Sequence, residues 1–347
     1  MRILLIGGNG FIGLSLTRQL ISAGHRVGIV HRGNPPDSPG SEVIHIQGDR
    51  NCLPACRKPI AQFSPDVVVD LTLSSGEEAR QLMDEAASWT RRVVAISSMD
   101  VYRAWGVLHG AEAGAIEPLP LTEDAPLRTV RQFYPVETLS MLRNTFTWLN
   151  NSYDKIAVEE AVSRRGRNGP SLVGGDRSAV AHGLWPGGRL HRFFKLLKRV
   201  ADRRPAIPMA DDFACGRGPR GYVENIAHAI VLAACQDRGA GRVYNVCQEP
   251  CLSELDWQGK IAPAAGWDGR FVVVPRERTP RHLLQPGNAA QHVVTSSARI
   301  RTELGYKEPV DLEEGIRRTI VWEQQNPPAS ITGFNYEAED RAVRDGA

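Results

Sequence analysis

The chain has 347 residues, enough for one large domain or two ordinary ones. A content of 42% apolar and 23% charged residues is that of a globular protein, not of a disordered or fibrous one. The net charge of +3, from 42 Lys and Arg against 39 Asp and Glu, is too small to predict a nucleic-acid or membrane partner. Six cysteines are too few for a disulfide scaffold and point to a reducing compartment. The pairs Cys52/Cys56 and Cys247/Cys251 lack the neighbouring His of a zinc site, so free thiols and no metal are expected.

Residues 1–32 read as strand, glycine turn, helix, strand. Ile3 to Ile6 is a short apolar run. Gly7, Gly10 and Gly13 follow at a three-residue spacing, then a helical pattern over 14–23 ends at Gly24, and 27–30 is a second buried strand. A dinucleotide site needs this order. One glycine makes the tight turn, one lets the backbone approach a pyrophosphate, and one lets the helix pack on the strand. The helix N-terminus then offers free N–H groups to the phosphates. The opening apolar run is too short for a signal peptide, and no segment reaches transmembrane length, so a cytoplasmic protein with no membrane partner is expected.

Further along, 33–40 is a Gly/Pro loop, 42–47 alternates as a strand, and 67–71 (VVVDL) is β-branched enough for a central parallel strand. A helix is predicted over 77–89 and a strand over 92–97. That strand runs into Ser98, Met99 and Asp100, a hydroxyl-rich end where ligands bind in a doubly wound sheet. Residues 103–150 are irregular. Helices are predicted over 153–163, 191–204, 222–234, 295–304 and 311–325, and strands over 242–247 and 271–274. The basic helix over 191–204 has no aromatic platform beside it and is expected to present a solvated outer face. Residues 331–347 are expected to be a polar, frayed tail. Strands alternating with helices predict an α/β Rossmann doubly wound parallel sheet.

The motifs GGNGFIG, DVVVDL, ISSMDVY and a helix with Lys155-x-x-x-Glu159 together resemble the extended, atypical short-chain dehydrogenase/reductase family, the NAD(P)-dependent epimerases and dehydratases. RGYVENIAHAI, GRVYNV and the two closing helices extend the resemblance over about 1–327. It implies a Rossmann domain over 1–165, its sheet completed by about 222–248, and a smaller, mostly C-terminal substrate lobe over 166–221 and 249–330. It implies hydride transfer at a carbinol or carbonyl carbon of a small-molecule substrate, a sugar or sugar nucleotide among the choices, and a homodimer built on paired helices. Carried over by residue, Gly7, Asn9, Gly10, Phe11, Ile12 and Gly13 would hold the pyrophosphate, Asp49 would meet the adenine, and Leu71 would line the cofactor cleft. Ser98 takes the family's catalytic Ser/Thr position and Lys155 its lysine. Arg32, where an acidic residue would grip a ribose hydroxyl, suits a 2′-phosphate and favours NADP over NAD.

Three departures accompany the matches. Counting back from Lys155, the family's tyrosine position holds Asn151, and Tyr153 lies two residues away. Tyr153 is the leading substitute, with Tyr134 and Tyr102 as others, and Asp100 is a candidate acid or base near the substrate. Of the two arginines that clamp a nucleotide diphosphate, Arg220 matches the first, but the second position holds Gln285. Residues 164–189 are polar and glycine-rich where the family has a strand and a Pro-Gly loop. Codons for Arg177 to Gly187, read one nucleotide later, can spell Val-Arg-Leu-Ser-Pro-Met-Val-Tyr-Gly-Pro-Gly. A compensated local frameshift and a diverged substrate loop both account for this stretch. The family's atypical members include chloroplast stem-loop-binding proteins, so a catalytically impaired nucleotide- or RNA-binding protein is the alternative reading.

Overall fold

The computed structural model describes residues 1–33, 42–168, 172–178 and 191–346. Strand β1 (Arg2–Ile6) leads through the glycine turn into helix α1 (Phe11–Ser22) and strand β2 (Arg26–His31). Strand β3 (Ile44–Gln47), a 3-10 turn (Arg50–Cys56), helix α2 (Arg57–Phe63), strand β4 (Val67–Asp70), helix α3 (Gly76–Ala86) and strand β5 (Arg92–Ile96) continue the alternation. Helices α4 (Arg103–Leu108) and α5 (Val136–Thr145) interrupt the irregular stretch, and α6 (Lys155–Asn168) precedes strand β6 (Leu172–Ser178). Then come α7 (Phe194–Ala201), β7 (Ala206–Ala210), α8 (Asp211–Cys215), α9 (Val223–Cys235) and β8 (Val243–Val246). Helix α10 (Glu254–Ala264), β9 (Arg270–Val274), α11 (Ala298–Leu304), α12 (Leu312–Gln325) and α13 (Tyr336–Gly346) close the chain.

Seven strands form one sheet in the order β3-β2-β1-β4-β5-β6-β8, and every pairing is parallel. The central strands are buried on both faces, which is why they read as unbroken Val/Ile/Leu runs. Leu16 and Leu20 of α1, Ile226 and Ile230 of α9 and Ile300 of α11 cover one face, packing on Ile3, Leu5 and Val69. Ile60 and Phe63 of α2, Leu82 of α3 and Val158 and Val162 of α6 cover the other, on Leu4, Ile6 and Val68. Full burial of each such side chain is worth about 1.5–3 kcal/mol. The result is the predicted Rossmann-type doubly wound sheet. Outside it, β7 and β9 pair in parallel, and a separate core of Phe193, Leu197, Trp257, Ile261 and Ile316 joins α7, α10 and α12.

Three expectations need correction. A strand was not expected within 164–189, yet β6 fills the slot between β5 and β8, with Arg92 opposite Leu172 and Gly175 opposite Val243. An empty slot would leave two ladders of buried backbone groups unpaired, so backbone demand overrides a poor strand composition here. Most of the stretch Arg177 to Gly187, where the shifted reading was noted, lies outside the described residues. The chain's end is a helix, not a frayed tail: α13 packs on β7 and β9, and Glu339 and Ala342 are buried. The basic helix is not simply solvated, because Arg199 is 3% exposed and donates to both carboxylate oxygens of Glu339 from Nε and Nη2 at 2.9 and 2.6 Å. His282 bonds the same carboxylate at 2.8 Å. A buried carboxylate needs such partners, and these two bind α13 to the body of the chain.

Candidate functional site

The register of the parallel strands assembles the site. Ile6 lies opposite Asp70, and Asp70 opposite Ala95. The turns after β1, β4 and β5 therefore emerge along one edge of the sheet. Strands lie about 4.8 Å apart, so Gly7 and the start of the Ser97-Ser98 segment are separated by roughly 10 Å, the span of a ligand laid across the edge.

The glycine turn has the shape that its spacing predicts. Gly7 has φ +86°, a conformation that side chains rarely adopt. A Cβ on Gly13 would sit 2.6 Å from the Gly8 carbonyl carbon, so only glycine lets α1 approach the turn. Gly10 caps α1 in an extended conformation with no side-chain cap, which leaves the first helical N–H groups for a ligand. Asn9 Oδ1 is buried and has no hydrogen-bond partner. Phe11 and Ile12 open the helix, with Ile12 packed against the core. Leu71 borders the turn, its Cβ 3.3 Å from where a Cβ on Gly7 would stand, and its N–H donates to Ile6 O at 3.0 Å. Asp49 precedes the 3-10 turn and accepts from Asn51 N at 2.8 Å. Arg32 is exposed at the end of β2. A bare cradle of backbone N–H groups at a helix N-terminus fits a dinucleotide pyrophosphate.

The residues beyond β5 form a second constellation. Asp100 is 4% exposed, and its Oδ2 accepts from Tyr153 Oη at 2.7 Å and from Tyr134 Oη at 3.0 Å. Its Oδ1 is buried without a hydrogen-bond partner and faces Arg128 Nη2 at 4.0 Å. Arg128 is itself buried, stacked over Phe133 at 4.0 Å and bonded through Nε to the Asp100 carbonyl. Ser98 Oγ accepts from Asp100 N at 3.2 Å and stands near the Tyr153 phenol, whose ionisation it favours slightly. Burial first, then the Asp100 charge, push both phenols well above the usual tyrosine range. The rings of Tyr134 and Tyr153 are 6.1 Å apart, and His109 adjoins Tyr134 at 6.1 Å.

Tyr153 reaches Asp100 because it stands outside the helix. Asp154 Oδ1 accepts from the N–H groups of Ile156 and Ala157 at 3.0 and 3.1 Å and caps α6, so the preceding tyrosine follows the turn, not the helical period. The predicted start of this helix at 153 is therefore two residues early. Asn151, in the family's tyrosine position, is exposed and accepts from Arg143. Tyr102, the other substitute, is fully buried and donates to Asn245 Oδ1 at 2.7 Å.

Lys155 is 3% exposed. Its Nζ donates to the carbonyls of Leu73 and of Ile96, the latter at 2.9 Å. Burial lowers it to about 8, against the opposing pull of Asp100, Asp70 and Glu78. Glu159, one turn on, accepts from Ser97 Oγ at 2.6 Å. Arg220 pairs with Glu254 and stacks on Trp257 at 4.8 Å, so its charge is already partly engaged. Arg192, in the basic stretch over 191–204, makes no hydrogen bond or ion pair among the described residues. Its side chain is exposed, and crowding by protein and then Arg220 lower its guanidinium to about 10. It also lies in the field of Tyr134.

Among the described residues no helix is long and apolar enough to cross a membrane, and no cluster of His, Cys, Asp and Glu could hold a metal. All six cysteines are free.

Residues 3–247 match the NAD dependent epimerase/dehydratase family. The chain is 31% identical over 330 residues to the chloroplast stem-loop binding protein of 41 kDa b from Arabidopsis thaliana, covering 91% of this chain and 77% of that one. It is 26% identical over 349 residues to UDP-glucose 4-epimerase from Corynebacterium glutamicum, covering 92% and 94%. A short-chain dehydrogenase/reductase superfamily protein from Agrobacterium tumefaciens, solved with bound NAD, has the same fold, with a TM-score of 0.66, 19% identity and coverage of 94% and 98%. The sheet, the glycine turn and these likenesses agree, and the chain belongs to the NAD dependent epimerase/dehydratase family.

Proposed function

We propose that this protein is an NAD(P)-dependent epimerase, dehydratase or reductase acting by hydride transfer at the carbinol or carbonyl carbon of a sugar or sugar nucleotide. What supports the reading is that Ser98 follows β5 on the sheet edge that bears the glycine turn, with Lys155 Nζ bonded to Ile96 O at that strand's end and the Tyr153 phenol bonded to Asp100 two residues past Ser98. Gly7, Asn9, Gly10, Phe11, Ile12 and Gly13 hold the pyrophosphate, Asp49 stands at the adenine end, and Leu71 lines the cleft. The nicotinamide, when bound, supplies the hydride donor or acceptor. Ser98 orients the substrate oxygen, Tyr153 exchanges its proton, and Lys155 supports the nicotinamide ribose. Asp100 and Arg220 border the substrate. Arg32 gives NADP a preference over NAD, because a guanidinium at the end of β2 is where a 2′-phosphate would fall.

Fluorescence titration with NADH and NADPH tests the cofactor half, and saturable binding of at least one is expected. Incubation of the loaded protein with UDP- and dTDP-sugars, followed by nicotinamide absorbance, tests the rest. Binding of neither nucleotide would remove the basis of the proposal.

A second reading, a nucleotide- or RNA-binding protein without turnover, is favoured by the name of the Arabidopsis relative. The basic helix gives it little support. Arg199 is spent on Glu339, and Lys198 is paired with Asp202. That leaves a reduced electrostatic footprint for a polyanion.

A further inference from the structure

The standard chemistry of such a site would use a tyrosinate made available by a nearby lysine. Here the two groups face different ways. The Lys155 ammonium is tied to the backbone carbonyls of Leu73 and Ile96, and no bond links it to Tyr153. The Tyr153 phenol instead donates to Asp100 Oδ2, and a second phenol, Tyr134, converges on the same oxygen. The other carboxylate oxygen, Oδ1, is buried with no hydrogen bond and has Arg128 opposite. A carboxylate oxygen receives a proton along a hydrogen bond that it already accepts. One already bonded to the tyrosine beside Ser98 is placed to receive that tyrosine's proton.

We propose that Asp100 is the proton acceptor and donor of this site, reached through the Tyr153 phenol, with Tyr134 as a positioning residue that fixes the carboxylate. The proposal rests on the oxidoreductase reading above. In the oxidative direction the hydride and its two electrons would leave the carbinol carbon for a bound nicotinamide. The hydroxyl proton passes to the Tyr153 oxygen as the phenol's own proton moves to Asp100 Oδ2. A carbonyl forms, Tyr153 is again a neutral phenol, and Asp100 holds the proton. Reduction runs the same path backwards. The groups facing Asp100 and the two phenols are Arg128, Arg192, His109, Lys155 and Ser98. His109 sits low because of burial first, so it adds little positive charge at neutral pH.

Phenolate absorbance titration of the purified protein tests this without a substrate. Differences between the parent protein and Y153F or Y134F assign the two phenols. Both are expected to ionise only above pH of about 10. In D100N the same two phenols are expected to ionise at about tenfold higher proton concentration, because the repelling charge is gone. In K155M they are expected to stay where they were. Ionisation of Tyr153 near neutral pH in the parent, abolished in K155M, would overturn the proposal in favour of a lysine-tuned tyrosinate. So would an unmoved titration in D100N. If D100N does not fold, the parent, K155M and the Tyr→Phe variants still decide between the two. NADH titration of the same samples separates the outcomes: loss of NADH binding by the parent defeats the oxidoreductase reading, whereas the phenol titration bears on the Asp100 relay alone.

Discussion

The two ends of the candidate site are built differently. The cofactor end is backbone: a turn of glycines, a helix N-terminus, and Leu71 set beside Gly7 by strand pairing. The substrate end is side chains brought together from distant stretches: Ser98 and Asp100 after β5, Arg128 and Tyr134 from the loop region, Tyr153 before α6. Backbone geometry tolerates almost no substitution, so the first end keeps its motif. Side-chain chemistry can be met by any residue that reaches the same point, and in the proposed site Tyr153 brings a phenol to Asp100 from outside α6.

Four changes should separate the ends. D100N should lower turnover by about 10²–10⁴-fold once a substrate is in hand, the usual range for removing a general acid or base, while NADH affinity stays unchanged. Steady-state kinetics and a binding titration read the two quantities. G13A should do the reverse of this pattern. Its Cβ meets the Gly7 and Gly8 backbone, so α1 must shift away from the turn. NADH affinity should fall by about 100-fold, which corresponds to about 2.7 kcal/mol, and circular dichroism should show that the fold survives.

K155M should cost about tenfold in cofactor affinity, or about 1.4 kcal/mol. The sign of its pH dependence follows from the amine sitting at about 8, below its ordinary value. The ammonium is present below that pH and lost above it, so NADH binding by the parent should weaken as pH rises through 8. In K155M the weaker binding should be flat across the same range. The smallest effect belongs to R32A, which should reduce any NADPH over NADH preference by a few-fold, on the order of one exposed charge pair. Parallel titrations with the two nucleotides measure it.

Most of the sheet was legible because a strand buried on both faces must be apolar, as in Ile3–Ile6 and 67–69. β6 was not, because its place is dictated by the ladders of β5 and β8 and not by its own residues. Nor was α13, whose stability depends on Glu339 reaching Arg199 across 140 positions. At the site, Ser98 and Asp100 could be named from the strand end, and Tyr153 and Lys155 from the family resemblance around the start of α6. That Tyr153 and Tyr134 both meet Asp100 could not, since the first contact turns on Asp154 capping α6 and leaving Tyr153 outside the helix, and the second on the path of an irregular loop. Arg128 carries no local signal at all. It lies in an irregular stretch, and only its fold-dependent contact with the Asp100 carbonyl brings it in. The shifted reading over 177–187 awaits resequencing of those codons: indels flanking the stretch would establish it, and their absence would leave a diverged loop.

The central claim is that cofactor binding and proton transfer are separable, the one held by the glycine turn and the other by Asp100. Titrating NADH into the parent, G13A and D100N tests it most directly. The account predicts saturable binding by the parent, binding by D100N within about twofold of it, and loss of about two orders of magnitude in G13A. Equal loss in D100N and G13A, or no binding by the parent, would contradict it.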